Sequence, residues 1–140
     1  MKSDRVKVFA VPLCVERRNN WMIKIRREQI AGMNMHYKYR TLEYFFKTQQ
    51  ALGIKNIEFW CARPHFLLDD YGFEDAAELK KNAADYGLTI GAFSPECTIY
   101  NYALCCHDET ARKHSIGYFE NGIRAAAEAG AKVMVLNCCG

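Results

Sequence analysis

Glu128-Ala-Gly-Ala-Lys-Val-Met-Val-Leu136 reads as a helix end, a glycine and then a strand. The same grammar stands at Ala51-Leu-Gly-Ile-Lys-Asn-Ile-Glu-Phe-Trp60 and at Asp85-Tyr-Gly-Leu-Thr-Ile-Gly-Ala-Phe93. In each, Gly53, Gly87 or Gly130 falls where a helix must end, because glycine tolerates the left-handed cap conformation. An apolar, β-prone run follows each glycine, as a strand buried on both faces requires. Strands alternating with helices imply parallel βαβ units. A closed (β/α)8 barrel takes roughly 250 residues. With 140 residues, the chain is expected to form the parallel (βα)4 half of such a TIM barrel, an α/β domain over 1–140 that ends after its fourth strand.

Outward from these repeats, helix one is predicted over 41–51, with Leu42, Phe45, Phe46, Gln49 and Leu52 at helical spacing. Strand two follows over 56–60. Helix two is predicted over 73–86, with Ala76, Leu79, Ala83 and Tyr86 on one face and Glu74 and Asp75 at the positive end of its dipole. Strand three covers 89–93. Helix three covers 109–129, with Asp108 as N-cap and Ile116, Phe119, Ile123 and Ala126 or Ala127 inward. Strand four covers 133–137. Strand one is predicted over 6–13, where Val6, Val8, Phe9, Val11 and Leu13 are apolar. Residues 14–38 then form a long connection on the C-terminal face, where barrel sites are built. Its Arg17, Arg18, Lys24, Arg26 and Arg27 interleave with Trp21, Met22, Ile23 and Ile25, as suits a lid, a dimer contact or a solvated decoration.

Composition narrows the function classes. Half the residues are apolar and a quarter charged, as in a globular domain. The net charge of +3 is small and its basic residues mostly dispersed, so no nucleic-acid partner is expected. No apolar run is long enough for a bilayer, and no signal core follows Met1-Lys-Ser-Asp-Arg-Val-Lys. A cytoplasmic protein without a membrane partner is expected. The seven cysteines are odd in number and lack a Cys-x-x-Cys, which fits free or buried thiols. Adjacent residues rarely ligate one ion, so Cys105-Cys106-His107 and Cys138-Cys139 are not read as metal sites. His107 follows Cys106 directly, which misorients it as the base of a thiol nucleophile. The Val11-Pro-Leu-Cys-Val-Glu run carries no glycine-rich phosphate loop, against a doubly wound nucleotide fold.

Ligands of parallel α/β folds bind beyond the carboxyl ends of the strands, and the polar candidates collect there. Trp60 is a sugar-stacking platform or a core aromatic. Arg63 either holds an anionic or hydroxyl-rich group with its planar fork or pairs with Asp69 or Asp70. His65 is a proton shuttle, a hydrogen-bond donor, a metal ligand or a loop cap. Glu96 binds sugar hydroxyls, orients another group or anchors its own loop. Glu58, inside an apolar strand, points to the barrel centre or pairs with a lysine on a neighbouring strand. Thr98, Tyr100, Asn101, Tyr102 and Asn137 complete the polar set.

Gly53-Ile-Lys-Asn-Ile-Glu-Phe-Trp60 running into Arg63-Pro-His65, then Ile90-Gly-Ala-Phe-Ser-Pro-Glu96, Tyr100-Asn101, Asp108-Glu109, Arg112 and Ser115, resembles the sugar isomerase/epimerase superfamily of xylose isomerase-like TIM barrels. Within it the resemblance is closest to the fructoselysine 3-epimerases and related ketose 3-epimerases, over about 42–137. It implies metal-dependent proton transfer at a sugar carbon next to a carbonyl, two glutamates exchanging the proton through an enediolate that a divalent metal, manganese by preference, stabilises. The family's metal ligands come from the last four strands, so no residue of this chain inherits a catalytic or metal role. The resemblance leaves Trp60, Arg63, His65 and Glu96 as the substrate wall for a small sugar, and the chain alone is expected to be inactive and without a cofactor. A half barrel leaves strand edges unpaired, so a homo-oligomer or aggregation is expected. Endonuclease IV-type enzymes share the superfamily and place a zinc-ligating histidine where His65 stands. The loop Ser94-Pro-Glu96 lacks their next histidine. A non-catalytic half barrel that assembles with a partner is the remaining alternative.

Overall fold

The computed structural model describes residues 24–136. Its sheet has four strands, β1 (Ala31–Met33), β2 (Asn56–Cys61), β3 (Thr89–Pro95) and β4 (Val133–Met134), all parallel in the order β1-β2-β3-β4. Between them run α1 (Leu42–Leu52), α2 (Ala76–Asp85) and α3 (Glu109–Ala129). This is the expected α/β architecture of a partial TIM barrel. The strand expected over 6–13 lies outside the described residues. The connection expected over 14–38 is not structureless in its described part. A 3-10 turn at Arg27–Gln29 leads into β1, which pairs with β2 through Ala31↔Asn56 and Met33↔Glu58, and a second 3-10 turn spans Asn34–Tyr37.

Each helix begins where a side chain accepts an orphan first-turn amide. Thr41 takes the Tyr44 N–H (3.2 Å), Asp75 that of Glu78 (2.8 Å) and Asp108 that of Ala111 (2.8 Å). The Asp75 cap starts α2 three residues later than 73, because Phe73 is still engaged in an antiparallel bridge to Leu68. Helices α1 and α3 end on Gly53 and Gly130, with φ of 68° and 77°, a conformation that a Cβ would strain.

The core forms between these helices and one face of the sheet. Ile57, Phe59 and Cys61 of β2 and Ile90 and Phe93 of β3 are buried against Phe45 and Phe46 of α1, Leu79 and Ala83 of α2 and Tyr118 and Phe119 of α3. Phe59, Phe66 and Phe93 close a triangle of rings with centroids 5.8–6.1 Å apart, two of its contacts edge-to-face. On α3 the inward face is rotated from the expected one. Ile116 and Ile123 are exposed, and Ser115, Tyr118, Phe119, Gly122, Ala125, Ala126 and Ala129 are buried. Two contacts set that rotation. Tyr118 stacks on Tyr102 at 3.9 Å, and Gly122 lets Met134 and Pro95 approach where a Cβ would sit at 3.1 Å from each.

A register shift decides what the other face of the sheet carries. Ile57 pairs with Ile90, but Glu58 pairs with Ala92 and Trp60 with Ser94, so Gly91 is the extra residue of a bulge. Without it Phe93, not Ser94, would stand beside Trp60. With it, Phe93 stays in the core and Ser94 faces Glu58, whose Oε1 accepts the Ser94 hydroxyl at 2.6 Å. The face away from the helices therefore presents Glu58, Trp60, Ser94 and, just past β3, Glu96.

Candidate functional site

The carboxyl ends of β1, β2 and β3 are tied by one hydrogen-bonded network. Its centre is Asn34, fully buried at 0% exposure directly after β1. The Trp60 peptide N–H donates to Asn34 Oδ1 (2.7 Å), and Asn34 Nδ2 donates to the Trp60 carbonyl (2.9 Å). The side chain thus continues the β1–β2 pairing past the point where the backbone ladder stops. Those two bonds fix the amide orientation, so the 3.0 Å contact of Asn34 Nδ2 with His65 Nδ1 is a donation to the ring. The other ring nitrogen, Nε2, faces the Arg40 carbonyl at 2.9 Å and must donate. His65 therefore carries its proton on Nε2 and has neither nitrogen free.

Trp60 and Glu96 form the second half of the network. Both are buried, at 5% exposure each. The Trp60 indole N–H donates to Glu96 Oε2 (2.6 Å). Glu96 Oε1 accepts the Thr98 N–H (2.5 Å), the Ile99 N–H (2.9 Å) and the Thr98 hydroxyl. Burial raises the pKa of this carboxyl, but the bonds from the Thr98 hydroxyl, Ile99, Trp60 and the Thr98 amide outweigh it and hold the group below its ordinary value. Glu96 is thus a fixed negative charge that anchors its own loop and locks the indole plane. The Tyr118 hydroxyl donates to the Glu96 carbonyl from beneath (2.5 Å).

Arg63 lies apart from this network. Its guanidinium pairs with Glu74 at 2.9 Å, not with Asp69 or Asp70, and its side chain remains 57% exposed. The two aspartates are already committed. Asp69 Oδ1 takes the amides of Tyr71 and Gly72 in a turn, and Asp70 takes the Tyr102 hydroxyl (2.8 Å) and pairs with His114. Burial and the Asp70 contact push the Tyr102 phenol up to about 12. Burial likewise pushes the Cys61 thiol up, which makes it a core group rather than a nucleophile. Glu58 finds its partner in Ser94, not in a lysine. Of the four residues read as a substrate wall, the structure joins Trp60, His65 and Glu96 through Asn34 and leaves Arg63 on the adjoining surface.

The described residues do not fit a metal ion. No three histidine, cysteine, aspartate or glutamate side chains among them converge on one point. His65, the position comparable to a nuclease zinc ligand, has both ring nitrogens bonded within the protein. Among the described residues no helix is long and apolar enough to cross a membrane.

Four parallel strands in the sequential order β1-β2-β3-β4, with polar groups gathered at their carboxyl ends, give the class, part of a (β/α)8-type barrel. The xylose isomerase-like TIM barrel family model matches residues 46–140, and the chain belongs to that family. Fructoselysine 3-epimerase of Shigella flexneri is 30% identical to it over 87 residues, 62% of this chain and 32% of that protein. Fructoselysine 3-epimerase of Escherichia coli O157:H7 is 29% identical over 87 residues, with the same shares covered. The chain therefore spans about a third of the length of the curated relatives it matches. No solved structure matches it.

Proposed function

We propose that this chain supplies the substrate-side wall of a sugar isomerase or epimerase that moves a proton at a carbon next to the carbonyl of a ketose or ketosamine. The observation that carries the reading is the Asn34–Trp60–Glu96 network, which holds an indole rigid at the carboxyl ends of three parallel strands. At 5% exposure the indole is a buried brace that fixes the loops after β2 and β3 beneath the polar rim of the site. Arg63, with one nitrogen on Glu74 and the rest of its fork open to solvent, is the donor best placed to meet sugar hydroxyls. His65 can reach a ligand only by exchanging its bond to the Arg40 carbonyl. The similarity to two fructoselysine 3-epimerases supports ketosamines as substrates and the C3 proton as the one moved. A divalent metal, manganese by preference, and the acid–base pair belong to this proposal only as groups held outside residues 24–136.

The test is proton exchange. A complete eight-stranded barrel that contains this chain, given manganese and fructoselysine in D2O, is expected to lose the substrate C3 proton signal. The 140-residue chain under the same conditions is expected to leave it intact, and calorimetry should find no stoichiometric manganese site on it. Exchange by the short chain, or none by the longer protein, would contradict the proposal.

A further inference from the structure

An open cavity of about 810 Å³ lies beside His65, between the segment that follows β1 and the loop that follows β2. Lys38, Arg40, Tyr44 and His65 are among its lining residues, and the first turn of α1, at Thr41 and Leu42, forms one wall. Among the described residues no acidic side chain lines it. Glu43, the nearest in sequence, points instead into a separate cleft with Phe46 and Asn82, where it pairs with Lys47. Among the described residues neither Lys38 nor Arg40 has a carboxylate partner.

Both cations are nonetheless placed. The Lys38 ammonium sits over the Tyr39 ring at 5.3 Å and the Arg40 guanidinium over the Tyr44 ring at 5.4 Å. The Arg40 backbone is pinned twice, its N–H donating to the Tyr37 carbonyl (2.7 Å) and its carbonyl accepting from His65 (2.9 Å). The α1 N-terminus adds the positive end of a helix dipole on the same side. His65 touches both this cavity and, through Asn34, the Trp60–Glu96 wall.

Resting on the sugar-binding reading above, we infer that this cavity receives an anionic group carried by the substrate, so that the chain selects an acidic sugar derivative over a neutral sugar. Two cations without an acidic neighbour among the described residues, one of them a planar fork, suit phosphate or carboxylate oxygens equally. His65 links the two places, since it lines the cavity and its ring accepts from Asn34, which holds the Trp60 backbone.

The test titrates the 140-residue chain with fructose, fructose 6-phosphate, N-(1-deoxyfructosyl)glycine and inorganic phosphate. Amide shifts of Leu42 and Tyr44 and the indole shift of Trp60 are followed by NMR. Anionic sugars are expected to move the α1 amides saturably, with affinity at least about tenfold weaker in the Lys38→Met/Arg40→Met protein, as for lost hydrogen bonds to a charged group, and weaker at high salt. Lys113→Met, on distant α3, is the control. A response to the phosphate sugar alone identifies phosphate, to the fructosylglycine alone carboxylate, and to both their shared charge; each supports the inference. Equal affinity for neutral and anionic sugars, or no effect of the double substitution, overturns it. Inorganic phosphate binding as well as fructose 6-phosphate, with no Trp60 response to any sugar, would keep the anion site and remove the sugar reading.

Discussion

Replacing Asn34 with alanine tests the network at its centre. Asn34 makes three hydrogen bonds, two to the Trp60 backbone and one to the His65 ring. Truncation leaves the Trp60 N–H and carbonyl without partners in a region where Trp60 is only 5% exposed. Each buried orphan costs about 1–3 kcal/mol. His65 is half-buried, so water takes over its lost bond and adds little. The sum is about 2–6 kcal/mol, against a total stability of about 5–15 kcal/mol for a domain. Urea denaturation should therefore show the midpoint of Asn34→Ala falling with an unchanged slope. Removal of both Asn34 and His65 should be less than additive, because they share a bond. A loss below about 1 kcal/mol would show that the Trp60 backbone is satisfied without Asn34, and the reasoning would fail.

Two further outcomes follow from the same contacts. Glu96, held below its ordinary value of 4.5, stabilises the fold above that pH, and this stabilisation is lost as the pH falls through its lower folded value; the acid limb of a stability–pH profile should be shallower for Glu96→Gln, and an identical limb would show the carboxyl to be unimportant to the fold. The short β4 leaves Val133, Val135 and Leu136 at 57%, 39% and 47% exposure, so the 140-residue chain is expected to self-associate in sedimentation velocity; a clean monomer would contradict the half-barrel reading.

The repeated helix–glycine–strand grammar was legible because each link rests on a local constraint. Left-handed glycines at 53, 87 and 130, the Asp108 cap and the starts of the strands that follow each glycine lie close to where the pattern puts them, whereas Thr41 and Asp75, read as lying inside their helices, are the caps that precede them. What stayed hidden depends on long-range partners. Ala31-Gly-Met33 lacks the β-branched residues that mark a strand, and it holds its place through tertiary contacts. Gly32 is one of them, for a Cβ there would meet the Gln49 side chain of α1 at 2.0 Å. Asn34 carries no motif at all, and only its position after such a strand points to it. Gly91, a lone glycine inside a strand pattern, was a readable signal of the bulge that turns Ser94 toward Glu58. The Arg63 partner was not readable, because Asp69 and Asp70 are nearer in sequence and are taken by a turn and by Tyr102 and His114.

The account stands on a wall that binds substrate while any metal is held elsewhere, and His65→Ala in a complete barrel that contains this chain tests it most directly. With His65 Nε2 exchanging its Arg40 carbonyl for a substrate oxygen, loss of that one donor, which leaves no buried charge, costs about 1–3 kcal/mol, so kcat/KM should fall roughly 5- to 150-fold with bound metal unchanged. Loss of one metal ion per chain in the same variant would contradict it and make His65 a ligand.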